Sequence, residues 1–496
     1  MILETPENPN VNNSLIRFSD RGFGLFVYAL FTVCGAAILW QGRSAGLFPA
    51  PLPGTDQLSM IEAAFGLASG EPLPAGYLYS PAYTGFLAAA KLLTGGNLVA
   101  MRMVQCLVAG WIPVVVFHLG IRLRFGRTAA RVGALLCCFY GPLLLISLDF
   151  LRAAPLALCF AGFLLALLRA AGRRSPRWFL AAGVLAGLCI LGRENFIPVV
   201  AFPALMLFSG GIRRHLFRRR PAEPGRRTLR MAAALATGLV LTIAPIVVVN
   251  LVRFGSPAIV PGHTGNVVGA YYGPEAEANR LPDPGAILRR IPEELGNFLS
   301  SYEIPNSLSF YAHAELIDFL NVAAVPFHLL LALAAIGFWR FRRNPGARLT
   351  LLLIAGYALS MSLFTFFYRF RIPAVPLVAA MAGAGVAALG DWIRLRKFRT
   401  LAAALLGGAL FVAATSRNPD RLRPESERRS VVYLMIRLGR YPAAEDGVER
   451  LRRDRIPSAD LAEQLIRALQ QEGYHPYAAE LFRRWFGSIP DGGQAK

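Results

Sequence analysis

Residues 23–40 read FGLFVYALFTVCGAAILW, an uncharged apolar run about as long as a helix needs to cross the hydrocarbon layer of a bilayer. Residues 1–20 ahead of it are polar, with no short apolar region leading to a small-residue cleavage site, so the run is expected to remain as a span. Comparable runs recur downstream at about 98–121, 132–148, 154–169, 178–192, 196–212, 231–251, 319–339, 349–367, 372–390 and 400–416. The 496-residue chain is 55% hydrophobic and 17% charged, a balance that excludes an ordinary soluble domain. The expected fold is all-α: a polytopic membrane protein of about eleven transmembrane helices, followed by a small helical tail.

Charge orients these spans. The chain carries 52 basic and 30 acidic residues, a net charge of +22. The basic residues cluster in short loops: Arg122 to Arg131, Arg169 to Arg177, Arg213 to Arg230, Arg340 to Arg348 and Arg394 to Arg399. Strict alternation of spans puts all of these loops at one end, which the positive-inside rule makes cytoplasmic. The lipid bilayer therefore accounts for the charge, and nucleic acid is not an expected partner. An odd number of spans places the amino terminus in the cytoplasm and the carboxyl tail outside. The six cysteines all fall inside apolar spans and read as small packing residues.

Three segments lie outside on this reading: a loop of about 43–97, a second of about 252–318, and the tail. They divide the chain into a membrane domain, 1–416, and a helical tail, 417–496. In the first loop Leu58, Ile61, Phe65 and Ala68 recur at helical spacing, with Gln57, Ser59, Glu62 and Ser69 polar between them, as in a helix lying in the interface. Tyr77 to Leu93 reads as a second such helix, with Tyr77, Tyr79, Tyr83 and Phe86 at headgroup level. In the tail, Gly439-Arg440-Tyr441-Pro442-Ala443-Ala444 is echoed thirty-four positions on by Gly473-Tyr474-His475-Pro476-Tyr477-Ala478. That is the tetratricopeptide period, although a plain pair of helical hairpins has the same appearance.

Ionisable and polar residues near the outer ends of spans are the candidates for chemistry. Asp56, in Pro53-Gly54-Thr55-Asp56-Gln57, suits a general base or a ligand to a divalent ion; a turn former or helix cap is the plainer alternative. Asp149 and Arg152 close the third span, either as an ion pair or with Asp149 as a second acid facing Asp56. Arg193 suits a phosphate, or an internal pairing with Glu194 or Asp149. Arg369 and Arg371 run against the positive-inside trend and suit a bound lipid phosphate. Arg102 and Gln105 face an outer cavity or snorkel. His263 and Asn266 lie in the second outer loop and suit sugar hydroxyls, whereas His118 and His328 read as satisfied packing residues.

The order of these motifs resembles the GT-C glycosyltransferases of the dolichyl-phosphate-mannose–protein mannosyltransferase type, glycosyltransferase family 39, and in particular bacterial members with tetratricopeptide tails. The resemblance covers about residues 20–416. It is carried by Asp56-Gln57, Tyr79-Ser80-Pro81-Ala82-Tyr83 with Phe86-Leu87-Ala88, and Arg102 with Gln105. Further along come Gly183-Val184-Leu185-Ala186-Gly187-Leu188, Leu191-Gly192-Arg193-Glu194-Asn195-Phe196 and Tyr368-Arg369-Phe370-Arg371-Ile372-Pro373 with Pro376. It implies a GT-C-like membrane enzyme of the bacterial inner membrane that takes a sugar from a polyprenyl-phosphate donor at the periplasmic face. The acceptor is a hydroxyl on a glycan, lipid or protein. It also implies Asp56 and Asp149 as the catalytic carboxylates, the first as base or metal-associated acid. Arg369, Arg371 and Arg193 fall to the donor phosphate. Tyr79, Tyr83, Arg102, Gln105, Glu194, His263 and Asn266 fall to the substrates. No cofactor is implied beyond a divalent ion. Three departures stand out: Gln57 replaces a usual glutamate, Asp149 stands where relatives often carry a glutamate, and the second outer loop lacks the usual asparagine-rich stretch. A lipid-linked-sugar flippase and a non-catalytic scaffold acting through the tail are the readings from other classes.

Overall fold

The run at 23–40 lies inside α1 (Asp20–Ser44), whose first turn is capped by the Ser19 hydroxyl accepting from the Gly22 N–H. The computed structural model describes residues 19–45, 47–48, 56–71, 80–173, 175–201, 226–255, 284–305, 309–323, 325–364, 366–417, 425–437 and 439–487. After α1 come α2 (Asp56–Ala68), α3 (Pro81–Thr94), α4 (Leu98–Ala109), α5 (Trp111–Arg122), α6 (Arg127–Cys138), α7 (Gly141–Leu148), α8 (Ala153–Arg173) and α9 (Pro176–Gly192). Then follow α10 (Arg226–Phe254), α11 (Pro284–Leu299), α12 (Phe310–Leu316), α13 (Asp318–Val322), α14 (Phe327–Phe341), α15 (Pro345–Met361), α16 (Val375–Arg394) and α17 (Phe398–Thr415). Four tail helices complete the chain: α18 (Glu425–Arg437), α19 (Tyr441–Arg453), α20 (Ala459–Gln471) and α21 (His475–Phe486). The described residues contain no strand.

The protein is an all-α, multi-pass membrane protein. Among the described residues, six helical stretches are long and apolar enough to cross a bilayer: 20–44, 98–122, 153–172, 229–254, 368–394 and 398–415. Three shorter apolar helices, α9, α14 and α15, accompany them. Three expected spans are interrupted. The second breaks between α4 and α5, where Pro113 has no N–H to give the Ala109 carbonyl; the third breaks ahead of Pro142 for the same reason. The one at 319–339 breaks between α13 and α14, which starts at Phe327 after Pro326. The expected span at 196–212 lies mostly outside the described residues.

Small residues let the backbones meet. A Cβ on Gly183 would stand 2.1 Å from the Leu235 carbonyl oxygen, and one on Gly238 2.2 Å from that of Leu180, so α9 and α10 cross in near contact. Around α16, a Cβ on Gly385 would lie 2.0 Å from Leu333 O on α14, and one on Gly383 2.2 Å from Ala129 O on α6. Within lipid such close approach supplies the dispersion energy that apolar burial cannot.

One end of the bundle joins the start of α1 to the α5–α6 and α14–α15 turns. There Arg127 faces Asp20 at 3.5 Å and Asn344 donates to the Leu123 carbonyl at 2.6 Å. The opposite end carries α2, α3 and the segment around 300. The Thr415 carbonyl at the end of α17 accepts from Ser301 N–H at 2.9 Å, so the tail starts at this second end.

Helices α2 and α3 pack into a small core of their own with Met101 and Phe150. The buried face of α2 is Gln57, Met60, Ile61 and Ala64, rotated from the expected stripe of Leu58, Ile61, Phe65 and Ala68. The rotation follows from Gln57, whose side chain is buried because it has a partner below. Helix α3 begins later than expected, at Pro81, with the Ser80 hydroxyl accepting from Tyr83 N–H. In the tail, buried positions recur thirty-four residues apart: Val431 and Leu465, Met435 and Leu469, Ala444 and Ala478, Leu451 and Trp485. Gly439 and Gly473 repeat too, both at positive φ in the turn between helices, the conformation glycine tolerates best.

Candidate active site

Asp56 opens α2, and its Oδ2 accepts from Arg369 Nη2 at 2.7 Å. The carboxylate is 35% exposed and the guanidinium 12%, so the pair sits at the rim of the bundle. Arg369 belongs to a short 3-10 turn, Tyr368–Phe370, directly ahead of α16. Its Nε is buried with no hydrogen-bond partner among the described residues.

The neighbouring Gln57 points inward and donates from Nε2 to Asp149 Oδ2 at 2.6 Å. Asp149 is 2% exposed at the end of α7. Its Oδ1 accepts from Phe150 N–H at 3.0 Å and faces Arg102 Nη1 at 3.6 Å. The expected ion-pair partner on the same short stretch was Arg152. The backbone at Asp149 is extended, so no helical face joins the two, and Arg102 on α4 is the cation that faces the carboxylate. Burial pushes the Asp149 carboxyl above its ordinary value, and the Arg102 charge opposes that shift.

Arg102 and Gln105, three residues apart, share one face of α4. They satisfy the carbonyls left open at the end of α7: Arg102 donates to Leu148 O at 2.8 Å, and Gln105 Nε2 to Asp149 O at 2.5 Å. The Tyr83 hydroxyl donates to Gln105 Oε1 at 2.6 Å. Burial raises the Tyr83 phenol well above its ordinary value. These three side chains are buried and bound to one another or to backbone, as a floor under Asp149 and Gln57. They neither snorkel nor line an open outer cavity.

Arg193 and Arg371 diverge. The Arg193 guanidinium carbon lies 3.8 Å from the centroid of the Phe370 ring, and its Nη1 donates to Met361 Sδ at 3.4 Å. Arg371 is fully buried. Its Nη1 donates to Ser300 O at 2.7 Å and its Nη2 to Tyr302 O at 2.7 Å. Its Nε faces Glu303 at 3.7 Å. Its geometry is that of a pin through the 297–303 segment. Glu294 completes that frame by accepting from Phe366 N–H at 3.0 Å.

Glu194 follows Arg193 in the turn after α9, and its carbonyl accepts from Ile197 N–H at 2.8 Å. Tyr79, His263 and Asn266 lie outside the described residues. His328, expected to be satisfied, has a buried Nδ1 without a hydrogen-bond partner among the described residues. Among the described residues no three His, Cys, Asp or Glu side chains gather as a metal site. Both Asp149 oxygens are engaged and Asp56 faces a guanidinium, so the two carboxylates do not fit a shared divalent ion. Glu303, Glu294, Tyr357 and Phe370 were not singled out from the sequence. Phe370 stood inside a quoted motif, but nothing in the spacing distinguished its ring from a lipid-facing one.

The fold is similar to solved membrane proteins at low identity. ArnT from Cupriavidus metallidurans in the apo state matches with 16% identity and a TM-score of 0.48, over 93% of this chain and 75% of that one. The undecaprenyl-phosphate complex of ArnT matches with 15% identity and a TM-score of 0.46, over 94% and 76%. The archaeal oligosaccharyltransferase AglB from Archaeoglobus fulgidus, in complex with an inhibitory peptide and a dolichol-phosphate, matches with 14% identity and a TM-score of 0.46. That alignment covers 85% of this chain but 59% of the archaeal one, less than two thirds of its length. No curated protein matches by sequence. Residues 79–224, which include Tyr83, Arg102, Gln105, Asp149, Arg193 and Glu194, match the family model of the dolichyl-phosphate-mannose-protein mannosyltransferases.

Proposed function

We propose that the chain is a membrane glycosyltransferase that moves a sugar from a polyprenyl-phosphate donor to an acceptor hydroxyl with inversion, at the periplasmic face of a bacterial inner membrane. The observation that carries this reading is the 2.7 Å meeting of Asp56 and Arg369, 313 positions apart in sequence. It joins a rim carboxylate to a guanidinium whose Nε has no hydrogen-bond partner among the described residues. The family match over 79–224 supports the same reaction class.

In the proposed step Asp56 takes the acceptor proton as the acceptor oxygen bonds to the anomeric carbon. The bond from that carbon to the phosphate oxygen breaks on the opposite face, and its electron pair leaves with the lipid phosphate. Arg369 and Arg193 stabilise the charge that develops there, the term on which such sites depend most. Arg371 frames the segment that presents Arg369. Asp149 holds Gln57 and through it the start of α2, so the mechanism uses one base. No step is routed through a metal. The acceptor is a glycan, lipid or protein hydroxyl. The tail, 417–496, is read as a tetratricopeptide-like unit on the same side, with the membrane domain at 1–416.

The test is Asp56→Asn in cells, with mass analysis of surface glycans, glycoproteins and glycolipids. A stably inserted variant should lack a one-sugar increment present in the parent, a loss of about a hundredfold or more in transfer. Unchanged transfer by that variant would remove Asp56 as the base.

A further inference from the structure

Asp56 and Arg369 have separate tasks in the proposed step, yet they are bonded to each other at 2.7 Å. The carboxylate and a donor phosphate are both anions, so each competes with the other for the same cation. Arg369 gives Asp56 one bond, from Nη2, while its Nε has no hydrogen-bond partner among the described residues. A phosphate offers a guanidinium two parallel bonds, and so satisfies more of its donors than Asp56 does. The surroundings let these side chains part without moving the main chain. On one side, Gln57 donates to buried Asp149 at 2.6 Å and holds the start of α2 whatever Asp56 does. On the other, Tyr368 N–H donates to Ile304 O at 3.0 Å, and Arg371 donates to Ser300 O and Tyr302 O at 2.7 Å each. Those bonds fix the turn that carries Arg369. Asp56 is 35% exposed, enough for its carboxylate to turn away from the arginine.

We infer that the Asp56–Arg369 bond is a latch that the donor phosphate opens. Arg369 passes from Asp56 Oδ2 to a phosphate oxygen. No proton moves, and the carboxylate is released to accept the proton of the acceptor hydroxyl. The base is freed only once the donor is seated, so the donor binds first and the acceptor second. The inference rests on reading Arg369 as a phosphate ligand and Asp56 as the base. The carboxylate that transfer requires then opposes binding of the donor phosphate, and its removal strengthens that binding. A bond that merely anchored α2 would act otherwise, since its loss would weaken lipid binding or leave it unchanged.

The experiment measures binding of undecaprenyl phosphate and, separately, undecaprenol to the purified full chain in detergent. Asp56→Asn and Asp56→Ala should each bind undecaprenyl phosphate about two- to tenfold more tightly than the parent, the range of a partly exposed ion pair. Undecaprenol binding should stay at the parent value in both, which also reports that the variants are folded. Glu62→Gln removes an exposed charge from the same helix and should bind both lipids as the parent does. Arg369→Gln should weaken undecaprenyl phosphate alone. Unchanged or weaker binding of undecaprenyl phosphate by either Asp56 variant, with Arg369→Gln weakened, would overturn the latch and leave Arg369 a phosphate ligand. Equal tightening by Glu62→Gln would overturn it too, because loss of any acidic charge would then suffice. So would equal tightening of undecaprenol, which carries no phosphate. If Arg369→Gln binds undecaprenyl phosphate as the parent does, it is the phosphate reading that fails, an outcome distinct from the others. The base reading is judged by transfer and not by binding.

Discussion

Gln57 shows how one side chain sets what its neighbour is able to do. Its carboxamide donates to Asp149 at 2.6 Å, so a second carboxyl group, common at this position in the resembling family, is replaced by a donor. A glutamate here would put two carboxyl groups in hydrogen-bond contact inside the protein, where they are able to coexist only by sharing a proton. Gln57→Glu should therefore raise the carboxyl pKa of the pair above its ordinary range. Stability would be full at low pH and lost as pH rises through that raised value, by about 1–3 kcal/mol. Melting temperature against pH in detergent measures this, and a profile parallel to the parent's would refute it. The positions of Asp56, Arg193 and Arg369 near one end were legible in the sequence, because charge at a span boundary is conspicuous. Their partners were not. Nothing in the spacing told Arg369, which meets a rim carboxylate, from Arg371, which is spent on backbone carbonyls two residues later.

Among the described helices, six of the apolar runs coincide with stretches long and apolar enough to cross a bilayer, and the prolines explain where two of the runs break. The buried face turned where a partner outside the helix decided it, as at α2. The glycine contacts were the least legible feature, since a glycine in an apolar run has the same letter whether it faces lipid or a backbone. Gly385 and Gly390, both on α16, make the comparison. A Cβ on Gly385 would stand 2.0 Å from Leu333 O, whereas one on Gly390 meets nothing within 4 Å. Gly385→Ala should cost about 1–3 kcal/mol or more, since a main-chain oxygen has little room to yield. Gly390→Ala should be neutral or stabilising by up to about 1 kcal/mol through helix propensity. Melting of the two variants in detergent checks both, and equal melting temperatures would contradict the close crossing.

Across the described residues, the arginine-bearing turns between α5 and α6 and between α14 and α15 lie at one end, while the Asp56 cluster and the root of the tail gather at the other. Orientation in the membrane is then a single binary choice, which the positive-inside rule decides. Cysteines placed at Glu62 in α2 and Glu463 in α20, both exposed, should react with an impermeant thiol reagent in intact cells. A cysteine at Arg343, also exposed, should react only after the membrane is opened. The native cysteines are buried apart from Cys159, which is partly so, and give a low background. Reaction at Arg343→Cys in intact cells would invert the arrangement. The sequence by itself determined the solvent: length and apolar periodicity require a bilayer, and loop charge orders the ends. Tertiary structure alone decided which carboxylate keeps an accessible face and which arginine keeps its donors. Those outcomes depend on contacts between segments 69 to 313 residues apart, and hydrophobic spacing carries no record of such contacts.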